Sequence, residues 1–315
     1  GATVVANAPQ RIATLIGGEE AQARFDENVK AIWGKAADGS ITTLGKGHLL
    51  SGVTLEKAIE MLGIKQDVIG NVRWLHRQVK GADWYFITPE KQQAFQGKLT
   101  FHAQGAAELW NPVTGEITPL NVERQGEYAT VELELPKAGS CFVVFNQNKK
   151  QQQTEKVQLA NTQPISTPWT IQFPEGWGAP AELTIDHLAP WCELPMSKEA
   201  QAFSGSATYT TTFNWSDESK EVKLDLGQVS MIAEVFVNDQ KVRTLWCTPY
   251  SADITSYVKQ GENKLQIKVT STWFNRLAFD ASLPEAERKT WTIEGPKAGA
   301  QLKEYGLLGP VCLKY

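Results

Sequence analysis

The chain is 315 residues long, with 31 Lys and Arg against 35 Asp and Glu, a net charge of −4 and a pI near 5.7. Hydrophobic residues at 42% and charged residues at 21% are those of a globular protein, and the length suggests two or three domains. No basic cluster could neutralise a row of phosphates, which excludes nucleic acid, and no apolar run approaches the roughly 20 residues of a membrane span.

Residues 1–68 read as a small α/β unit. Glu19–Trp33 places Phe25, Val29, Ile32 and Trp33 at helical spacing, with acids at its start and Gly34 just past its end. Thr54 can cap a second helix whose Leu55, Ala58, Ile59 and Leu62 share one face, closed by Gly63. Gly45-Lys46-Gly47 between them is a turn into a short strand; a nucleotide loop would need a third glycine and a following helix. Two short helices cannot bury their faces alone, so this unit must dock on something.

From residue 69 to 147 the pattern changes to strands: 72–78, 83–88, 98–102, 107–110, 128–135 and 140–145. Val131, Leu133 and Leu135 alternate with Thr130, Glu132 and Glu134, giving a sheet with one wet face. Short strands broken by turns such as 111–116 predict a β-sandwich. Residues 147–165 are polar and aperiodic and read as a linker, with Lys149-Lys150 in a solvated turn.

A third domain, 148–315, carries strands at 169–174, 209–215 and 221–226, with 216–219 as a turn. Val235 and Val237 lead into a turn at 238–241 and a strand at 242–246. Asp253-Ile254-Thr255 starts another turn. Gly261-Glu262-Asn263 turns the chain before Leu265, Ile267 and Val269 alternate with Lys264, Gln266 and Lys268. Cys141, Cys192, Cys247 and Cys312 show no C-x-x-C and no His at ligand spacing, so zinc is disfavoured and no disulfide is required. Cys141 and Cys312 lie in apolar strands and are expected as buried thiols.

Asn238-Asp239-Gln240-Lys241, Pro249-Tyr250, Asp253-Ile254-Thr255, Gly261-Glu262-Asn263 and the Leu265/Ile267/Val269 strand resemble the galactose-binding-like jelly roll of glycoside hydrolase family 2. Asp239 stands where that family usually has Gly, a tolerable change because Asp also visits positive φ. A second set is similar to glycoside hydrolase family 106, the α-L-rhamnosidases: Trp74-Leu75-His76-Arg77, Ala82-Asp83-Trp84-Tyr85-Phe86 and Glu108 through Gly115, with Asn111 in place of the usual Asp. Trp273-Phe274-Asn275-Arg276-Leu277, Leu283-Pro284 and Gly306 through Val311 extend this likeness over nearly the whole chain. The resemblance implies a mainly β fold, two β-sandwiches with the second a jelly roll, preceded by the α/β remnant.

In the resembled family the catalytic pair belongs to an N-terminal barrel, and no residue here matches that part. Such a barrel takes about 250 residues, more than 1–68 can supply. The expectation is a non-catalytic accessory region of a rhamnosidase-like hydrolase whose barrel is missing; the alternatives are a free-standing carbohydrate-binding module or a purely structural assembly domain. Gly1 is not a Met, the first being Met61, and no signal peptide is evident, so the sequence reads as a processed or cloned fragment. Localisation by analogy is periplasmic or extracellular.

Glycoside hydrolysis uses two carboxylates about 5–10 Å apart, but the acids that can be placed (Glu132, Glu134, Asp217, Glu221) fall on wet strand faces or in turns. With His48, His76, His102 and His187 and no Gly-x-Ser-x-Gly, nucleophilic hydrolysis has no anchor; His76 and His102 read as structural. Aromatic rings stack on pyranose faces while polar side chains read the hydroxyls. Among eleven Trp, the candidates for contact with a plant or microbial glycan are Trp246, Trp273 and Trp291, with Asn275 and Arg276 beside Trp273, although Arg276 could equally brace a neighbouring loop. No cofactor is implied; structural calcium occurs in such domains, but no loop here has the acidic density it needs.

Overall fold

The computed structural model describes residues 1–90, 93–154, 159–218 and 221–315. Ser219 of the expected 216–219 turn, and residues 155–158 of the expected linker, lie outside these. The chain is mainly β, in two sandwiches behind a small α/β unit.

That unit holds β1 (Thr3–Val5), α1 (Gly18–Trp33), β2 (Ile41–Leu44), β3 (Gly47–Leu50) and α2 (Leu55–Met61). Strand β3 is central, parallel to β1 and antiparallel to β2, and buries Leu49 and Leu50. Thr54 caps α2 by accepting the Lys57 amide at 3.3 Å. Gly34 does follow α1, but with right-handed backbone, φ −64, so the helix ends without the left-handed residue that a glycine stop suggests. Helix α1 buries only Ala21 fully, and Leu15, Ile16, Leu55 and Ile64 are 58–90% exposed.

The first sandwich comprises β4 (Val68–Ile69), β5 (Val72–Val79), β6 (Ala82–Pro89), β7 (Phe95–His102), β8 (Ala106–Trp110), β9 (Ile117–Pro119), β10 (Glu123–Gln125), β11 (Tyr128–Leu135) and β12 (Cys141–Asn146). Among the described residues one sheet runs β10-β11-β7-β4 and the other β5-β6-β12-β8-β9. Their inner faces enclose Tyr85, Ile87, Leu99, Phe101, Val131, Val143 and Phe145. Each fully buried aliphatic or Phe side chain contributes roughly 1.5–3 kcal/mol. The alternation of β11 is realised, with Val131, Leu133 and Leu135 buried and Glu132 and Glu134 exposed. Asn111 serves where the family uses Asp because the turn needs only a side-chain oxygen: its Oδ1 accepts the Val113 and Thr114 amides at 2.9 and 3.2 Å. His76 stacks on Tyr85 and meets Asp67 and Asp83 at 3.2 and 3.0 Å, a satisfied structural position. Cys141 is buried, which pushes its thiol up to about 12.

The jelly roll comprises β13 (Thr162–Pro164), β14 (Trp169–Gln172), β15 (Glu182–Ile185), α3 (Lys198–Gln201), β16 (Ser206–Trp215), β17 (Lys223–Asp225), β18 (Gln228–Val229), β19 (Ile232–Val237), β20 (Gln240–Leu245), β21 (Ser251–Asp253), β22 (Gly261–Thr270), α4 (Phe274–Asp280), β23 (Leu307–Gly309) and β24 (Cys312–Lys314). Its larger sheet runs β15-β14-β16-β22-β19-β20, and β13-β24-β17-β21 faces it. Leu265, Ile267 and Val269 are fully buried between them.

Three local expectations change. The hairpin after β19 is a two-residue turn: Asn238 and Asp239 have φ of 51 and 64, so β20 begins at Gln240 instead of Val242. Gly261 to Asn263 belong to β22 and pair with Phe213–Trp215. Asn263, fully buried, there accepts the Lys259 amide and the Asn238 side chain at 2.9 Å each and donates to Lys259 and Gly261 carbonyls. The polar linker reading fails at Thr162–Pro164, which forms β13 because β24, about 150 residues later, supplies its partner. Such pairing leaves no trace in local periodicity.

Candidate functional site

Helix α4 organises the corner where the candidate residues lie. Arg276 and Asp280 are one turn apart and share its inner face. Arg276 is 1% exposed and Asp280 equally buried. The Arg276 Nη2 lies 2.7 Å from Asp280 Oδ1, and its Nη1 donates to Glu199 Oε1 of α3 at 2.9 Å. The guanidinium also faces the rings of Trp177 and Phe279 at 5.6 and 5.3 Å, which favours a desolvated cation. The Arg276–Asp280 approach lies off the hydrogen-bond axis and is a charge contact, and Arg276 Nε has no acceptor among the described residues.

From this pair the bonds run outward to two loops. Asp280 Oδ2 accepts the Lys289 amide at 3.0 Å, the Thr290 amide at 2.7 Å and the Thr290 hydroxyl at 2.6 Å, pinning the long loop after α4. Lys289 Nζ reaches back to Glu199 Oε1 at 3.0 Å and to the Gly176 carbonyl at 2.9 Å. Gly178 sits at φ +80 with Glu199 so close that a Cβ there would stand 2.5 Å from its Cγ; the loop needs glycine at that position. Trp177, between the two glycines, is half-buried and packs edge-on against Trp273 with ring centroids 4.9 Å apart.

Electrostatics hold the charges in place. Bonds from Arg276 and Lys289 keep the Glu199 carboxyl below its ordinary value. Burial pushes Asp280 upward, but the bonds from Thr290 and the charge of Arg276 together outweigh it, and the net shift is downward. Asn275 is fully buried and turned to Lys303, pairing with both its amide and its carbonyl at 2.8 Å.

The sequence candidates therefore separate by role. Trp273 is 44% exposed at the mouth of the corner, and Trp291, 82% exposed, lies just beyond the pinned Thr290. Asn275 and Arg276 lie beneath the surface and hold the loops. Trp246, 60% exposed, follows the edge strand β20 and takes no part in this network. Sequence reasoning passed over Trp177, Glu199, Asp280 and Lys289. A Trp flanked by two glycines, and an Arg four residues before an Asp, were the available signals. Among the described residues no three His, Cys, Asp or Glu side chains are placed to hold a metal ion, and no helix is long and apolar enough to cross a membrane.

Residues 1–124 match the α-L-rhamnosidase family, glycoside hydrolase family 106, and residues 195–302 match the glycosyl hydrolase 2 galactose-binding domain-like family. The solved rhamnosidase from Novosphingobium sp. PP1Y is similar over 100% of this chain, at 29% identity and a TM-score of 0.86, and this chain covers 31% of it. A Formosa agariphila protein named "Putative beta-glucuronidase" is 40% identical over 134 residues, 41% of this chain and 11% of that protein. The chain thus spans less than a third of the length of either relative.

Proposed function

We propose, starting from the resemblance of this chain to the glycoside hydrolase family 106 α-L-rhamnosidases and from its galactose-binding-like domain, that it is a non-catalytic accessory region of a glycoside hydrolase. In this reading 1–68, 69–147 and 148–315 are an α/β unit and two sandwiches that support or extend carbohydrate binding by a catalytic barrel of the same protein. The observation that carries it is the full-length likeness to a rhamnosidase of which this chain covers 31%. The apolar side chains exposed on the α/β unit support a face that docks against such a barrel, and count against a free-standing module. Glycan contact falls to Trp273, Trp291 and Trp177, with Trp246 a separate candidate. Polymeric plant or microbial glycans are met outside the cytosol, so the region works in the periplasm or outside the cell.

A purely structural role is the second reading, favoured by the full internal commitment of Asn275 and the burial of Arg276. Isothermal titration with rhamnose-containing oligosaccharides decides between them. Saturable heat, weakened by about 1–3 kcal/mol in Trp273→Ala, supports glycan binding; flat titrations leave only assembly. The purified chain is expected not to cleave an aryl α-L-rhamnoside, and measurable turnover would overturn the non-catalytic assignment.

A further inference from the structure

The corner around Trp177 carries more than an aromatic surface. Glu199 and Lys289 straddle this residue: the carboxylate packs against Gly178 on one side, and the ammonium binds the Gly176 carbonyl on the other. Glu199 spends a single oxygen, Oε1, on both Arg276 and Lys289. Among the described residues its Oε2 is left without a hydrogen-bond donor, on a side chain 34% exposed. Lys289 Nζ, 45% exposed, uses two of its three protons on Glu199 and Gly176. An open acceptor and an open donor therefore belong to one ion pair, whose Nζ–Oε1 distance is 3.0 Å, next to Trp177 and its edge-to-face partner Trp273.

We propose that Trp177, Trp273, Glu199 and Lys289 form a subsite for a neutral pyranose, read through two adjacent hydroxyls. The inference rests on the carbohydrate-binding reading above and adds the ligand class to it. One hydroxyl donates to Glu199 Oε2, its neighbour accepts from Lys289 Nζ, and the C–H face of the ring lies on an indole. The charges already cancel in pairs, Arg276 with Asp280 and Lys289 with Glu199. An acidic sugar would meet the Glu199 carboxylate, which its bonds keep ionised, while Lys289 is already paired with it. A neutral diol disturbs neither pair. Arg276 and Asp280 are positioning residues here, since they touch the loops and not the sugar.

The test uses the 315-residue chain with three probes, methyl α-L-rhamnopyranoside, methyl α-D-mannopyranoside and methyl β-D-galactopyranoside, followed by tryptophan emission and saturation-transfer NMR. At least one is expected to bind saturably, its fully O-methylated derivative at least tenfold more weakly, and sodium D-galacturonate no better than that derivative. Lys289→Met and Glu199→Gln should each weaken binding at least tenfold with an unchanged circular dichroism spectrum. If Glu199→Gln fails to fold, Lys289→Met decides, because its side chain lies at the surface. Binding that survives Lys289→Met and Trp273→Ala overturns the subsite while leaving glycan binding elsewhere on the chain. Failure of these probes, with oligosaccharides still giving saturable heat, also overturns the subsite alone. Failure of probes and oligosaccharides together removes both readings.

Discussion

Asp280→Ala is the perturbation that most directly tests the account of the loop corner. The substitution removes a carboxylate 2.7 Å from a guanidinium that is itself 1% exposed, and three donors from Lys289 and Thr290 lose their acceptor. Removing one member of a buried ion pair costs about 3–5 kcal/mol because the remaining charge is left without compensation. The freed Lys289 and Thr290 amides add little, since that stretch of loop can reach water. Glu199 stays in place, which puts the expected loss toward the lower end, about 3 kcal/mol. Urea denaturation followed by far-ultraviolet circular dichroism and tryptophan emission measures it. Limited proteolysis should cut within residues 283–302 of the variant before the parent chain. The double substitution Arg276→Met with Asp280→Leu removes both charges and should recover more than half of the loss. A loss below about 1 kcal/mol, with no recovery in the double variant, would refute the claim that this pair pins the loops.

Two further outcomes follow from the same structure. Asn263→Ala empties a fully buried position and leaves the Lys259 amide and carbonyl and the half-buried Asn238 side chain without that partner; a loss of about 1–3 kcal/mol is expected on chemical denaturation. Asp280 and Glu199 are both held below their ordinary values. Their stabilisation is therefore full above the unfolded carboxyl range, about pH 4, and is lost as pH falls through their lower folded values. The urea midpoints of the parent chain and Asp280→Ala should accordingly converge below about pH 4, and a gap that stays constant with acidification would count against the ionic account.

Much of this protein was legible along the chain. The period-two alternation of Val131–Leu135 and of Leu265–Val269 marked strands with one buried face, and both faces are buried as expected. Thr54 marked the start of α2, and the ordered pieces from Asn238 to Val269 marked the jelly roll. The alternation and the cap are local signals, depending on residues within a turn or a strand of one another, where pattern and backbone propensity suffice; the jelly roll was legible through the resemblance of its ordered pieces to glycoside hydrolase family 2. Part of the candidate corner was legible, at Trp273, Asn275, Arg276 and Trp291, with Arg276 already read as a possible brace for a neighbouring loop. Asn275 and Arg276 lie two and three residues past Trp273, but helix α4 turns them inward, and no helix is expected there from the local pattern.

The sequence alone determined that the chain would fold as β-sandwiches behind an α/β unit, because hydrophobic period and turn chemistry act over a few residues. Only the tertiary structure decided that β13 pairs with β24, and that Trp177, Glu199 and Lys289 meet across more than a hundred residues of chain. The reason is the same in each case. A buried charge or an unpaired strand edge is satisfied by whichever partner the packing delivers, and that partner's position is set by the whole fold and not by its neighbours in the sequence.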